Sequence, residues 1–131
     1  MSEENEALVV RLLDAWHRRD YADAQSGFSP DVEIELVAEA PMDGTYSGYE
    51  GLREVMKFWG AFAEFRSDIE EIRSSGDRVF IEAHHHARGK TSGVDVESTN
   101  WQVFTVRDGA IMRYAIYASR DQALEAAGLS E

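Results

Sequence analysis

The chain has 131 residues, with 25 Asp or Glu against 13 Lys or Arg, a net charge of −12 and a pI near 4.7. So acidic a surface repels phosphate, which argues against nucleic acid and anionic membrane as partners. Cysteine is absent, which excludes disulfides, thiolate catalysis and Cys-ligated zinc.

The length fits a single domain, 1–131, large enough for a real core. Hydrophobic residues make up 44% and charged residues 29%, ordinary globular usage. The acidic start, Met1-Ser2-Glu3-Glu4-Asn5-Glu6, lacks the basic and apolar regions of a secretory leader. No apolar run approaches the ~20 residues of a membrane helix. A cytoplasmic protein is expected.

Ser2 is placed to cap a first helix, with acidic residues in its opening turn. Leu8, Val9, Leu12, Leu13 and Trp16 then recur at helical spacing and form one core-facing stripe. Asp20 reads as the cap of a short second helix, Tyr21 to Phe28, stopped by Ser29-Pro30-Asp31. Val32, Ile34 and Leu36 alternate with Glu33 and Glu35, the pattern of a half-buried strand. Residues 38–49 read as loop. Glu50 to Ala63 reads as a third helix, its stripe made of Leu52, Val55, Met56, Trp59 and Phe62.

Phe65 to Arg73 alternates less cleanly. Ile69 and Ile72 are out of phase, as a β-bulge would make them. Three runs rich in β-branched and aromatic residues follow: Val79 to Ala87, Val94 to Val106 and Ala110 to Ala118. Ser74-Ser75-Gly76-Asp77 and Arg107-Asp108-Gly109 mark hairpin turns between them. Arg120 to Ala127 reads as a closing helix that stops at Gly128. Three helices against one curved antiparallel sheet is an α+β solution. A curved sheet with helices across its mouth leaves a cone-shaped cavity for a small molecule.

Four stretches carry a family resemblance. They are Tyr46-Ser47-Gly48-Tyr49-Glu50-Gly51-Leu52-Arg53-Glu54, Ser75-Gly76-Asp77-Arg78-Val79, Val106-Arg107-Asp108-Gly109-Ala110-Ile111, and Tyr117 to Leu129 with its Ala-Leu-Glu-Ala-Ala-Gly-Leu tail. With them the chain resembles the SnoaL-like branch of the nuclear transport factor 2-like superfamily. The resemblance implies a cone-shaped curved sheet wrapped around three N-terminal helices. It leaves the reaction open, because the superfamily holds isomerases, cyclases, hydrolases, dehydratases and silent binding domains. Ketosteroid isomerase-like members use a tyrosine on helix one, an aspartate base on strand one and an acidic donor on a late strand. By that resemblance these positions fall here on Leu12, Leu36 and Gln102. With base and donor both replaced, steroid isomerisation is not expected.

His84-His85-His86 is the most conspicuous chemical feature. On a strand, His84 and His86 share one face and His85 takes the other. The resemblance implies that Ile81, Ala83 and His85 face the cavity, which makes His85 the candidate acid or base. The alternative is a histidine satisfied by hydrogen bonds in a polar patch of the core. A metal site on His84 and His86 needs a third ligand, and no spacing in the chain supplies one. No metal and no cofactor is therefore expected.

Asn100 and Gln102 share a phase with Phe104 and would orient a ligand carbonyl or hydroxyl, or else bond neighbouring side chains. Trp16, Trp59 and Tyr114 would wall the cavity, or simply pack. Glu33 with Glu35, and Asp95 with Glu97, read as a solvated outer face. Trp101, Val103, Ala115, Tyr117 and Phe80 fall on the phase opposite the cavity. Left in water they would form an unusual apolar patch, so a homodimer through the outer sheet face is expected. Two functions stay open. One is a SnoaL-like pocket doing acid–base chemistry on a hydrophobic or polyketide-like molecule. The other is a dimeric ligand-binding or protein-interaction module without chemistry.

Overall fold

The first helix forms where the apolar stripe predicts it. In the computed structural model, which describes residues 2–37, 44–60, 64–89 and 93–130, α1 spans Ser2–His17. Val9, Leu12, Leu13 and Trp16 are buried on its inward face. The helix ends with Arg19 at φ 62°. There the Arg19 N–H donates to the Trp16 carbonyl at 3.0 Å and the Asp20 N–H to the Ala15 carbonyl at 2.9 Å. This bond pair closes a Schellman stop with Arg where Gly is usual, at a cost of roughly 1–2 kcal/mol. The Arg19 guanidinium reaches the Gly60 carbonyl at 3.0 Å, tying the stop to the end of the third helix.

The short α2, Tyr21–Ser26, is capped by Asp20, whose side chain accepts from the Asp23 N–H. It ends two residues before the predicted Phe28, because Phe28 already opens β1, Phe28–Leu36. Residues 44–47, read as loop, form a short edge strand, β2 (Gly44–Ser47), paired with the second half of β1. α3 covers Gly48–Gly60. The predicted last turn at 61–63, the first half of the loop at 38–43 and the side chain of Trp59 lie outside the described residues.

The remaining strands are β3 (Glu64–Ser75), β4 (Arg78–Arg88), β5 (Asp95–Arg107) and β6 (Ala110–Tyr117), followed by α4 (Arg120–Ala127). Together they build a six-stranded sheet in the order β2-β1-β6-β5-β4-β3. All neighbours are antiparallel except β1 and β6. That pair runs parallel because the chain leaves β1 through β2 and α3, then returns to its side only after the meander. The Asp108-Gly109 turn takes φ 51° and 75°, the two positive values that a two-residue hairpin turn requires. In β3 the register slips between Ile69 and Glu71. The slip puts Ile69 opposite Ala83 and Ile72 opposite Ile81, so both isoleucines serve one face despite their spacing.

The main core lies between α1, α3 and the concave sheet face. It joins Val9, Leu12 and Trp16 of α1, Leu52, Val55 and Met56 of α3, and Ile34, Ile81, Phe104 and Tyr114 of the sheet. A second, smaller core lies on the other face. There Ala123, Leu124 and Ala127 of α4 cover Phe80 and Val103. The cover that the sequence reading assigns to a second subunit is thus supplied, at these two residues, by the chain's own last helix. Trp101 and Tyr117 stay half-buried at its margin. No described helix is long and apolar enough to cross a membrane.

Candidate functional site

Strand pleating sends His85, Asn100, Gln102 and Tyr114 to the concave face. There they line one pocket with Leu13, Trp16 and His17 of α1 and Phe65, Ser67 and Ile69 of β3. Among the described residues α3 contributes nothing to its lining. The pocket encloses about 440 Å³ of empty space, mouth included, but it is narrow. Phe65 narrows it, stacking on His85 with ring centres 5.6 Å apart and planes 17° off parallel.

A hydrogen-bonded chain of polar side chains crosses this apolar surface. Asn100 Oδ1 accepts from His85 Nε2 at 2.8 Å and from Gln102 Nε2 at 3.0 Å. The Tyr114 hydroxyl donates to Gln102 Oε1 at 3.4 Å. Because Asn100 Oδ1 is an acceptor, the His85 proton sits on Nε2, and Nδ1 accepts from the Ser67 hydroxyl at 2.5 Å. Ser67 lies directly opposite His85 in the sheet, and Asn100 is diagonal to it. Such cross-strand neighbours are within side-chain reach.

Burial pushes the His85 imidazole below its ordinary range, and His17, His84 and His86 push the same way. The Asn100 hydrogen bond opposes them. His17 is likewise pushed down by burial, against the pull of Asp14 and Asp68. Both rings are therefore held toward the neutral form that can take up a proton. On the opposite wall Trp16 is 6% exposed. Its Nε1 is the buried side-chain donor that has no hydrogen-bond partner among the described residues. A buried donor without a partner is costly.

Of the anticipated site residues, Trp16, His85, Asn100, Gln102 and Tyr114 meet in this pocket. Phe104 does not. It is 1% exposed and stacks behind the pocket on Tyr114, centroids 4.6 Å apart. Leu12 and Leu36, on which the resemblance lets the isomerase-like tyrosine and base positions fall, are buried in the core. His17, Ser67 and Phe65 are lining residues that the sequence did not assign to the site. His17 continues the Leu13 row by one helical turn, a signal that was present. Ser67 and Phe65 share parity with Ile69, but the slip before Glu71 hid which face that parity serves. The sequence spacing brings no third group to His84 and His86, but the sheet register does. Glu97 stands opposite His86 on β5, and ligand atoms of all three lie within 4.8 Å of one another.

An α+β cone with a pocket between its first helix and the concave sheet face defines a class of small-molecule-binding folds. The chain belongs to the SnoaL-like domain family, which it matches over residues 9–114. Solved structures agree in fold. A nuclear transport factor 2-like protein of unknown function from Burkholderia pseudomallei K96243 is 19% identical, with a TM-score of 0.80 over 97% of this chain and 98% of that one. A candidate SnoaL-like polyketide cyclase from Jannaschia sp. CCS1 is 17% identical, with a TM-score of 0.79 over 97% and 92%. TerC, co-crystallised with polyporic acid, is 21% identical, with a TM-score of 0.77 over 93% and 96%. At these identities the likeness establishes the fold alone. No curated protein matches the chain.

Proposed function

We propose that the pocket binds a flat hydrophobic molecule bearing a carbonyl or hydroxyl, of the polyketide-like kind, and that His85 and Ser67 move a proton on it. The observation that carries this reading is the Ser67–His85–Asn100–Gln102–Tyr114 chain on an otherwise apolar wall. Two fold neighbours, a candidate polyketide cyclase and a protein co-crystallised with polyporic acid, support the ligand class.

The chemistry follows from the tautomer. Ser67 gives its hydroxyl proton to His85 Nδ1 while its oxygen takes a proton from the ligand. Asn100 Oδ1 stabilises the imidazolium that forms. The reverse transfer returns the proton to another ligand atom, so the cycle is neutral overall. Trp16 Nε1 donates to the oxygen on which charge develops. A flat ligand takes the place of the Phe65 ring against His85. That exchange provides the room which the narrow pocket lacks with Phe65 in place.

A second reading, a binding module without turnover, is favoured by one observation. Leu12 and Leu36, where the resemblance expects catalytic groups, are buried core side chains. A panel of aromatic polyketide-like ligands, followed by quenching of Trp16 fluorescence and by product formation, separates the two. Under the first reading His85→Gln lowers turnover by roughly 10²-fold with binding retained, and Phe65→Ala tightens or broadens binding. Under the second there is no turnover to lose. No binding by any member of the panel would overturn both.

A homodimer across the outer sheet face is part of the proposal. It is supported by the half-buried pair Trp101 and Tyr117, which α4 borders without covering fully.

A further inference from the structure

We propose that His84, His86 and Glu97 bind a divalent transition-metal ion of the zinc class on the outer face of the sheet, the face opposite the pocket. His84 and His86 are alternate residues of β4, so both project from the same side. Their rings meet edge to face with centroids 4.7 Å apart. Glu97 is the direct cross-strand partner of His86. Its carboxylate lies 2.9 Å from His86 Nδ1 and 4.0 Å from His84 Nε2. A zinc ion with bonds of about 2.0–2.1 Å holds its ligand atoms roughly 3.3 Å apart. The 4.8 Å spread of the three groups closes to that by small side-chain rotations.

The other nitrogen of each ring supports the assignment. His84 Nδ1 is 3.0 Å from Thr99 Oγ1, which leaves Nε2 toward Glu97. His86 Nε2 is 3.6 Å from Asp68 Oδ2, which leaves Nδ1 toward Glu97. Each imidazole thus presents one nitrogen to the shared point and has the other beside an oxygen. That is how outer-shell partners orient histidine ligands and raise their basicity. Five residues of three adjacent strands form the arrangement, so the sheet holds it in place. The neighbouring cations are matched, Arg88 by Asp95 at 2.8 Å and Arg66 by Asp68 at 3.8 Å. The two histidines are about 30% exposed, open enough for an ion to enter and for water to complete the coordination. Two imidazoles with one carboxylate suit zinc, nickel or copper and not calcium or magnesium, which prefer all-oxygen sites.

The test is calorimetric titration of the whole metal-stripped chain with zinc sulfate, in the presence of excess magnesium. One ion per chain is expected. His86→Ala and Glu97→Gln should abolish saturable binding, while Thr99→Val weakens it about 10-fold. X-ray absorption should show two imidazoles on the bound zinc. Circular dichroism of each variant checks that the fold survives, and these half-exposed positions leave the core intact. Binding that persists unchanged in His86→Ala, or that magnesium displaces, would overturn the site. So would half an ion per chain, because it puts ligands from two copies on one ion.

Discussion

His17 shows how one side chain carries a pH dependence. It lies at the end of α1, tilted against Phe65 at 5.9 Å between ring centres. The groups that act on it are Asp14 on its own helix, Asp68 of β3 and His85 of β4, and burial outweighs both carboxylates. Its folded pKa is thus below the ordinary value of 6.5. The unfolded chain then binds the proton more readily, so this contribution to stability is complete above pH 6.5. It is lost as pH falls from there through the lowered folded value. Urea unfolding at pH 7.5 and 5.5 should show a smaller stability loss in His17→Gln than in the parent. An equal loss in both would show that burial at this position does not set the pKa.

At the scale of elements, α4 has the most explicit sequence instructions. Ser119 caps it by accepting from the Gln122 N–H, and Gly128 ends it at φ 75°. The Leu129 N–H then reaches back to the Leu124 carbonyl at 2.8 Å, completing the stop. Built as alanine, Gly128 meets no neighbour within 4 Å, so any cost of Gly128→Ala is conformational alone. We expect about 1 kcal/mol of destabilisation in a thermal melt. The loss should leave the pocket unchanged, since α4 lies on the opposite face. Arg120 reinforces the same packing. It bridges Glu71 and Glu82 at 2.9 Å each and rests 5.5 Å over the Phe80 ring.

The whole molecule is expected to pair through the outer face of its sheet. Trp101 donates through Nε1 to Glu82 at 2.7 Å, which fixes its ring beside Tyr117 at the edge of the α4 contact. Sedimentation at tens of micromolar should show a dimer, and Trp101→Glu should convert it to monomer. An unpaired charge at an interface centre costs several kcal/mol, roughly. A dimer that survives this change would place the interface elsewhere.

The sequence by itself determined what depends on neighbours along the chain. Helical spacing marked α1 and α3, parity separated His85 from His84 and His86, and Asp108-Gly109 and Gly128 marked a turn and a stop. These signals are local because dihedral preference and side-chain period act over a few residues. The tertiary structure decided what depends on register and on which element covers which. It made β1 and β6 parallel, placed β2 at the edge and closed α4 over Phe80 and Val103. It put Ser67 against His85 across a bulged strand, and Glu97 beside His84 and His86. None of these pairs has a fixed sequence separation, and a slip of one residue in either strand would exchange the faces.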